Sequence, residues 1–474
     1  MSGFSVMSKE PSIIWAGIKE INDRIDAKYF HYDYMTFNLN DYDKVKNLDQ
    51  CVDFFETGVS NFNEGELRLK RLKTSNIQNN VVLYEDLIDC KIQKKDKRKI
   101  LQKGDVVLTT YGTGSIGKTA YINSDTQIVP DYTIAILRTK SNLDSGYLMS
   151  FFSSSYGNQQ VLRRVIGTSG ITLVIKPHLK DIKIPIPSQE IQKYIGDKVR
   201  RAEELREEAK RLKEEAESLI SNSINLERLV EKVRDYKSKN NWVDSASISG
   251  RIDGQYYINP ITEINKYMKN IDMKLVVLRD IAEVRKGFSY SNESSNGVPY
   301  IRISDLDDLL IDYSKVVRID NKTYQQKRNS QLKYFDLIMA ITGATIGKVS
   351  VFYNKEIEKA TLSADTAYVR FNNIEDSIAY LLYFKTVIGQ LAITQGITGA
   401  TNKHLAIEDI KNIVLPQFED SIKKEVKNKI VQSMDNIYTS KQLIQEAKQD
   451  VEDLIEGNFE MSKLNNDSST ESRC

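Results

Sequence analysis

The apolar residues of this chain follow two regimes. Short runs such as "DVVLTT", "TIAIL", "LVVL", "PYIRI" and "DLIMAIT" are separated by clusters of Gly, Asn, Ser and Asp, the punctuation of strands and turns. Two longer segments carry a different pattern. After the helix-stopping Pro185 and Pro187, with Ser188 and Gln189 as a start, Ala202, Leu205, Ala209, Leu212, Ala216 and Leu219 step by threes and fours on a surface otherwise made almost wholly of Lys, Arg and Glu. Near the other end, Ile437, Ser440, Ile444, Ala447, Val451 and Leu454 repeat the small-and-large alternation, and Gly457 is a natural stop. Both predict long helices with a coiled-coil seam.

A lone helix of this kind leaves its stripe in water, so the two are expected to pack on each other, antiparallel. From Ile191 to Leu219 the first would span roughly 43 Å at about 1.5 Å per residue. The globular units would then lie at its two ends about an approximate twofold axis.

Other landmarks also return in order, about 230 residues on. "RIDAKYF" (Arg24 to Phe30) returns as "RIDGQYY" (Arg251 to Tyr257), and "LDQCVDFFETG" (Leu48 to Gly58) loosely as "LRDIAEVRKG" (Leu278 to Gly287). "DVVLTTYGTGSIGK" (Asp105 to Lys118) returns as "DLIMAITGATIGK" (Asp336 to Lys348), "PDYTIAILR" as "ADTAYVRF", and "PHLKDIKIPIP" as "KHLAIEDIKNIVLP". The chain therefore reads as a tandem duplication of one strand-rich α/β unit plus one helix. The expected segments are a first unit 1–187, a helical spacer 188–236, a second unit 237–416, a second spacer 417–460 and a disordered tail 461–474.

Composition narrows the picture. A formal charge of +2 on 474 residues means that any nucleic-acid surface must come from local arrangement of Lys and Arg. Cys51, Cys90 and Cys474 form no Cys-x-x-Cys pair, which argues against a disulfide framework and a structural zinc site. The amino end lacks a basic stretch followed by an apolar one, and no run of about 18 apolar residues occurs. A soluble, cytoplasmic protein is expected, with no membrane partner.

Gly112, Gly117, Lys118 and Thr119 carry the letters of a nucleotide-binding loop. Such a loop needs a helix beginning at its Lys-Thr, whereas "TAYINSDTQIVPDYTIAIL" alternates and breaks like strands. The duplicate is one residue shorter and has Val349 in place of the metal-binding hydroxyl. The expectation is a strand, a tight turn and a returning strand, with Lys118 and Lys348 reversing the chain or touching a nucleic-acid backbone.

Taken together, "RIDGQYY" with Pro260, "GVPYIRISDL", the paired "TG-ATIGK" turns, "GITGATNKHL", the "IPIP" and "VLP" exits and the Ala/Leu heptad resemble the specificity subunit of type I restriction-modification systems, over nearly the whole chain. The resemblance implies an α+β protein: two similar target recognition domains in tandem, joined by two long helices in an antiparallel coiled coil with pseudo-twofold internal repeat. It implies a non-catalytic subunit that reads a bipartite double-stranded DNA target and docks two adenine methyltransferase subunits on its helices. An ATP-dependent restriction subunit would join for cleavage. This chain would hold no cofactor; S-adenosylmethionine would belong to the methyltransferase, ATP and Mg to the nuclease. The half-sites would lie one helical turn apart or slightly more, at about 34 to 36 Å per turn. In the first unit, "NEGELRLKRLKTSNI" departs from the family's proline-containing landmark.

Candidate DNA contacts are basic clusters in expected loops: Arg68, Lys70, Arg71 and Lys73, then Lys97 and Arg98 within Lys94 to Lys99, plus Lys118. The second unit offers Arg302, Lys327, Arg328 and Lys348, and an Asn402, Lys403, His404 loop able to present amide and imidazole edges. His178 and His404 are otherwise capping or core residues. Asp131 and Asp365, which recur beside apolar strands, are expected to cap turns. No metal-spaced His/Cys set and no methyltransferase tetrapeptide is found. Three alternatives stand beside this reading: a type IIB specificity subunit, a P-loop NTPase using Gly112 to Thr119, and a coiled-coil scaffold protein.

Overall fold

The computed structural model describes Tyr29 and residues 44–467 except 63, 79, 168–170, 237–247, 249–253, 258, 272, 291 and 400. The first "RID" landmark apart from Tyr29, and Cys474, lie outside the described residues, as do Arg251 to Asp253 of the second landmark. The chain forms two compact units: residues 44–207 with 437–467, and residues 208–436.

In the first unit the strands are β1 (Val45–Asn47), β2 (Val52–Thr57), β3 (Leu67–Leu72), β4 (Ile88–Ile92), β5 (Val106–Thr109), β6 (Thr119–Tyr121), β7 (Ile128–Pro130), β8 (Ile134–Thr139) and β9 (Lys183–Pro185). An antiparallel sheet has the order β2-β8-β5-β6, a side sheet the order β4-β3-β7 with β3 and β7 parallel, and β1 pairs with β9. Helices α1 (Ser145–Ser153) and α2 (Ser155–Leu162) precede the long α3 (Gln189–Ser223). Period-two alternation divides the main sheet between two cores. Val106, Leu108, Ala135 and Leu137 face the helices, while Val107, Ala120, Ile134 and Ile136 face Leu72, Ile77 and Ile128 on the side-sheet face. Strands covered on both faces read as unbroken apolar runs.

The second unit repeats this. Its strands are β10 (Leu275–Val277), β11 (Ala282–Lys286), β12 (Val298–Ile301), β13 (Arg318–Ile319), β14 (Leu337–Ala340), β15 (Val349–Val351), β16 (Thr361–Leu362), β17 (Thr366–Phe371) and β18 (Val414–Pro416). The sheet orders are β11-β17-β14-β15 and β13-β12-β16, with β10 paired to β18. Helices α4 (Ile374–Lys385) and α5 (Val387–Gln395) match α1 and α2, and the long α6 (Asp420–Glu456) follows. Both units carry the same buried latch. Asp105 accepts two hydrogen bonds from Arg138 at 2.8 Å and one from the Gln102 amide at 2.8 Å; Asp336 accepts from Arg370 at 2.8 and 2.6 Å and from the Lys333 amide at 2.7 Å.

The structure also corrects the alignment of the copies. The extra residue in "LDQCVDFFETG" is taken up by a bulge, where β8 pairs Arg138 with Phe54 but Thr139 with Val52. The turns entering β8 and β17 place Asp131 opposite Ser363, since Ile134 and Thr366 donate to their carbonyls, so Asp131 and Asp365 are not equivalents. Each still fixes a turn: Asp131 accepts from the Thr133 amide at 3.1 Å, and Asp365 from the Thr342 hydroxyl at 2.9 Å. His178 lies in a helix at Lys176–Lys180 that corresponds to Ile407–Lys411, so its counterpart is Asp409 and not His404. At the far end, Ser462–Asp467 is helical where a disordered tail was expected.

The long helices run 35 and 37 residues. In the second unit Ser433 donates to the Ala209 carbonyl at 2.7 Å, and Lys429 pairs with Glu215 at 2.6 Å. In the first unit Tyr194 meets Phe459, and Lys198 pairs with Asp450 at 2.6 Å. Rising numbers on α3 meet falling numbers on α6 in both units, the antiparallel order. Ala202, Leu205, Ala209, Leu212, Ala216, Ser440, Ile444, Ala447, Val451 and Leu454 are buried; Leu219 and Ile437 are half-buried. The seam also includes Val199, Val426, Ile430 and Met434, all buried. No single described helix is long and apolar enough to cross a membrane.

The long helix α3 also buries a carboxylate. Glu203 of α3 is 3% exposed and bonded to Arg206, close to Tyr84 and Glu207. Burial, opposed by the Arg206 guanidinium, pushes its carboxyl above the usual glutamate range. The folded state thus holds this proton more readily than the unfolded chain, so stability is full below the ordinary glutamate value and is lost as pH rises from there through the raised folded value. Glu203→Gln should match the parent's Tm near pH 3, below the ordinary glutamate value, and exceed it at pH 8. Thermal melts at the two pH values measure this, and equal shifts at both would contradict it.

Candidate nucleic-acid interface

The geometry of the glycine turns settles one alternative. Gly112, Gly114 and Gly117 have φ of 95°, 77° and 89°, a left-handed run that only glycine adopts without strain. After Lys118 comes the three-residue strand β6 rather than a helix, and the Thr119 hydroxyl donates to the Val107 carbonyl at 2.9 Å inside the sheet. A nucleotide loop would need that hydroxyl on a metal and a helix N-terminus behind it. The P-loop reading is therefore excluded. In both copies the turn is tied to the second short helix, by Asn158 to Gly117 at 3.4 Å and by Gln390 to Gly347 at 2.9 Å.

Each turn lies beside the loop that leaves this helix. The Gly112 amide donates to the Thr172 carbonyl at 2.9 Å, and the Gly343 amide to the Lys403 carbonyl at 3.1 Å. Asn402 and Lys403 are exposed, and half-buried His404 bridges to Thr342. The structure thus brings the predicted Asn402, Lys403 and His404 against the Gly343 turn. In the first copy the same corner presents Tyr132, 50% exposed, edge-on to Tyr111. The two lysines differ: Lys118 is half-buried, while Lys348 is exposed, its ammonium donating to the Leu306 carbonyl.

The basic clusters expected in loops occupy regular structure. "LRLKRL" is strand β3, its period-two alternation visible in the sequence. Arg68 and Lys70 share the outer face, while Arg71 turns to the other face, 4.1 Å from the Phe62 ring and paired with Asp131 at 3.3 Å. Lys73 and Arg302 occupy matching places, each with its amide bonded to a side-chain oxygen three residues on, Asn76 or Asp305. The Arg302 guanidinium is engaged by Asp305 and the Lys315 carbonyl at 3.2 Å. Lys97 and Arg328 also match. Lys97 and Arg98 line a groove of about 420 Å³ with Phe54, Ile100, Gln102, Gln127 and Arg138; Lys327 sits 5.4 Å over Phe288.

Two features escaped sequence reasoning. One is an aromatic cluster of Phe288, Tyr290 and Tyr300, with ring centroids 5.6 to 6.4 Å apart. Tyr290 donates to Asp320 at 2.6 Å, and this bond together with those from Thr323 holds the Asp320 carboxyl down at about 2. The other is Lys91, exposed on β4 directly opposite Arg68.

A family model described as the type I restriction modification DNA specificity domain matches the chain twice, over residues 53–218 and 270–453. The chain belongs to this family. Each match takes in one strand-rich unit and most of the long helix that follows it, so the protein is a type I specificity subunit with two recognition domains. Among solved structures it is similar to the S subunit of a type I restriction-modification system from M. genitalium, at 12% identity over 90% of this chain and 98% of that one, TM-score 0.41. It is also similar to the HsdS subunit from Thermoanaerobacter tengcongensis, at 14% identity over 88% and 96%, TM-score 0.27. The type IIG restriction endonuclease BpuSI matches at 11% identity over 41% of this chain and 34% of its own, TM-score 0.29. A comparison with curated proteins finds no match.

Proposed function

We propose that the two specificity domains read the two halves of one bipartite DNA target, and that these halves differ in sequence. The observation that carries this reading is a shared scaffold with unlike surfaces. Strand order and the Asp-Arg latch repeat, yet Phe54 in the first domain faces Arg138 where Glu283 faces Arg370 in the second, and Tyr300 of the aromatic cluster stands where β3 carries Arg71. The helix pair then sets the spacing and docks two adenine methyltransferase subunits, which supply S-adenosylmethionine. A restriction subunit using ATP and Mg joins for cleavage, in the cytoplasm. The DNA contacts of this reading come from Lys97, Arg98, Lys118, Arg328, Asn402, Lys403 and His404.

Co-expression with its cognate methyltransferase, followed by sequencing of methylated adenines, tests this. The expected result is one motif of two dissimilar parts with an invariant gap. On duplexes with one base pair added to or removed from that gap, binding should weaken at least tenfold, about 1.4 kcal/mol. A contiguous motif, or two inverted copies of one half-site, would overturn the proposal.

A further inference from the structure

The outer face of the first domain's side sheet carries two consecutive charged rungs, with an ion pair just beyond the end of the ladder. Glu66 pairs with Lys94 at 2.7 Å, and Lys70 pairs across the ladder with Asp89 at 2.9 Å. Between them Arg68 stands directly opposite Lys91. Both are exposed, and neither has an acidic partner among the described residues. The Lys91 amide points away from β3, to the Phe62 carbonyl at 3.4 Å, so this is the non-hydrogen-bonded kind of rung, with Cα atoms only about 4.5 Å apart. Like charges in that position destabilise a sheet. The acids on either side are already engaged, so an anion from outside the protein is what completes the rung.

The second domain shows what the scaffold itself requires there. Leu72 and Ile301 occupy matching places, since their carbonyls accept from the matched Asp131 and Ser363 amides. Counting back four residues sets Gly297 in the place of Arg68. The β12–β13 register, Val298 with Ile319 and Pro299 with Arg318, continues to Asp320 in the place of Lys91. Asp320 is already bonded to Tyr290 and Thr323. The fold therefore does not need two cations at this rung.

We propose that Arg68 and Lys91 form a two-point clamp for a backbone phosphate of duplex DNA, present in the first recognition domain and absent from the second. This rests on the chain's DNA-recognition function and adds a contact confined to one half-site. The clamp is sequence-blind: it fixes the first domain's register on the duplex while other groups read bases.

The test is Lys91→Glu in the full chain bound to its methyltransferase, with Arg68→Gln/Lys91→Gln as a second variant. Lys91→Glu gives Arg68 an internal partner, so its Tm should equal the parent's or exceed it by up to roughly 3 °C. Target-duplex binding should weaken about tenfold or more, and the slope of log K against log salt should become shallower by about 0.9 for the one phosphate lost. The double glutamine variant should show the same slope change and no loss of Tm. If the parent binds duplex DNA and either variant keeps its affinity and slope, or if both lose several degrees of Tm, the clamp is overturned while the recognition function stands. A parent complex that shows no salt-dependent duplex binding overturns both.

Discussion

Asp336→Ala should lower the stability of the second domain by about 3–5 kcal/mol, the cost of breaking a buried ion pair and leaving Arg370 only the more distant Glu283 carboxylate at 3.6 Å. The Asp336 side chain is 2% exposed and Arg370 19%. The same carboxylate also fixes the turn into β14 through the Lys333 amide, so alanine removes a charge partner and a turn cap together. At roughly 2–4 °C per kcal/mol for a domain of this size, the transition should fall by about 6–20 °C. Asp336→Asn, which keeps an acceptor for the turn, should lie in between. Asp105→Ala should do the same in the first domain, where the matching side chain is 1% exposed. A melting temperature unchanged within 2 °C would show that the duplicated latch is not what holds the strand pair in register.

The second large effect is expected in the helix seam. Ile430 is fully buried in one cluster with Ala216 and Ile220. Ile430→Asp puts an unpaired charge there and should cost at least about 3 kcal/mol. Asn428→Asp, two residues away on the exposed face, should stay within about 0.5 kcal/mol. Denaturant titration measures both. If the helices set the spacing, Ile430→Asp should also lose methylation of the bipartite motif while Asn428→Asp keeps it. Equal behaviour of the two variants would remove the seam from the account.

Much of this was legible in the sequence because duplication shows twice whatever the fold needs. The seam from Ala202 to Ala216 and the glycine turns repeat in pattern, so their structure followed from pattern alone. What pattern could not supply was partnership. Arg302 and Lys348 look like free cations in sequence, yet each is held by groups within its own unit. Lys91 lies outside both basic runs and gains its meaning only from the β3–β4 register, which no local signal fixes. The antiparallel pairing of β3 with β4 joins strands separated by a long connection, so the face shared by Arg68 and Lys91 was hidden until the ladder was known. Letter matching misaligned Asp131 with Asp365 and His178 with His404, because similar residues carried more weight than hydrogen-bonded position.

The division of the long helices between the units bears on the order in which the protein is made. The second unit is one unbroken run, 208–436, whereas the first draws residues 437–467 from the far end of the chain. On the ribosome, domains ordinarily mature from the amino end onward. Here the middle of the polypeptide can close its core first, while the earliest-translated residues wait with Ile195 and Val199 uncovered until Ile444, Ala447 and Val451 emerge. A premature stop after residue 436 would therefore damage the domain farthest from it in sequence and spare the one beside it.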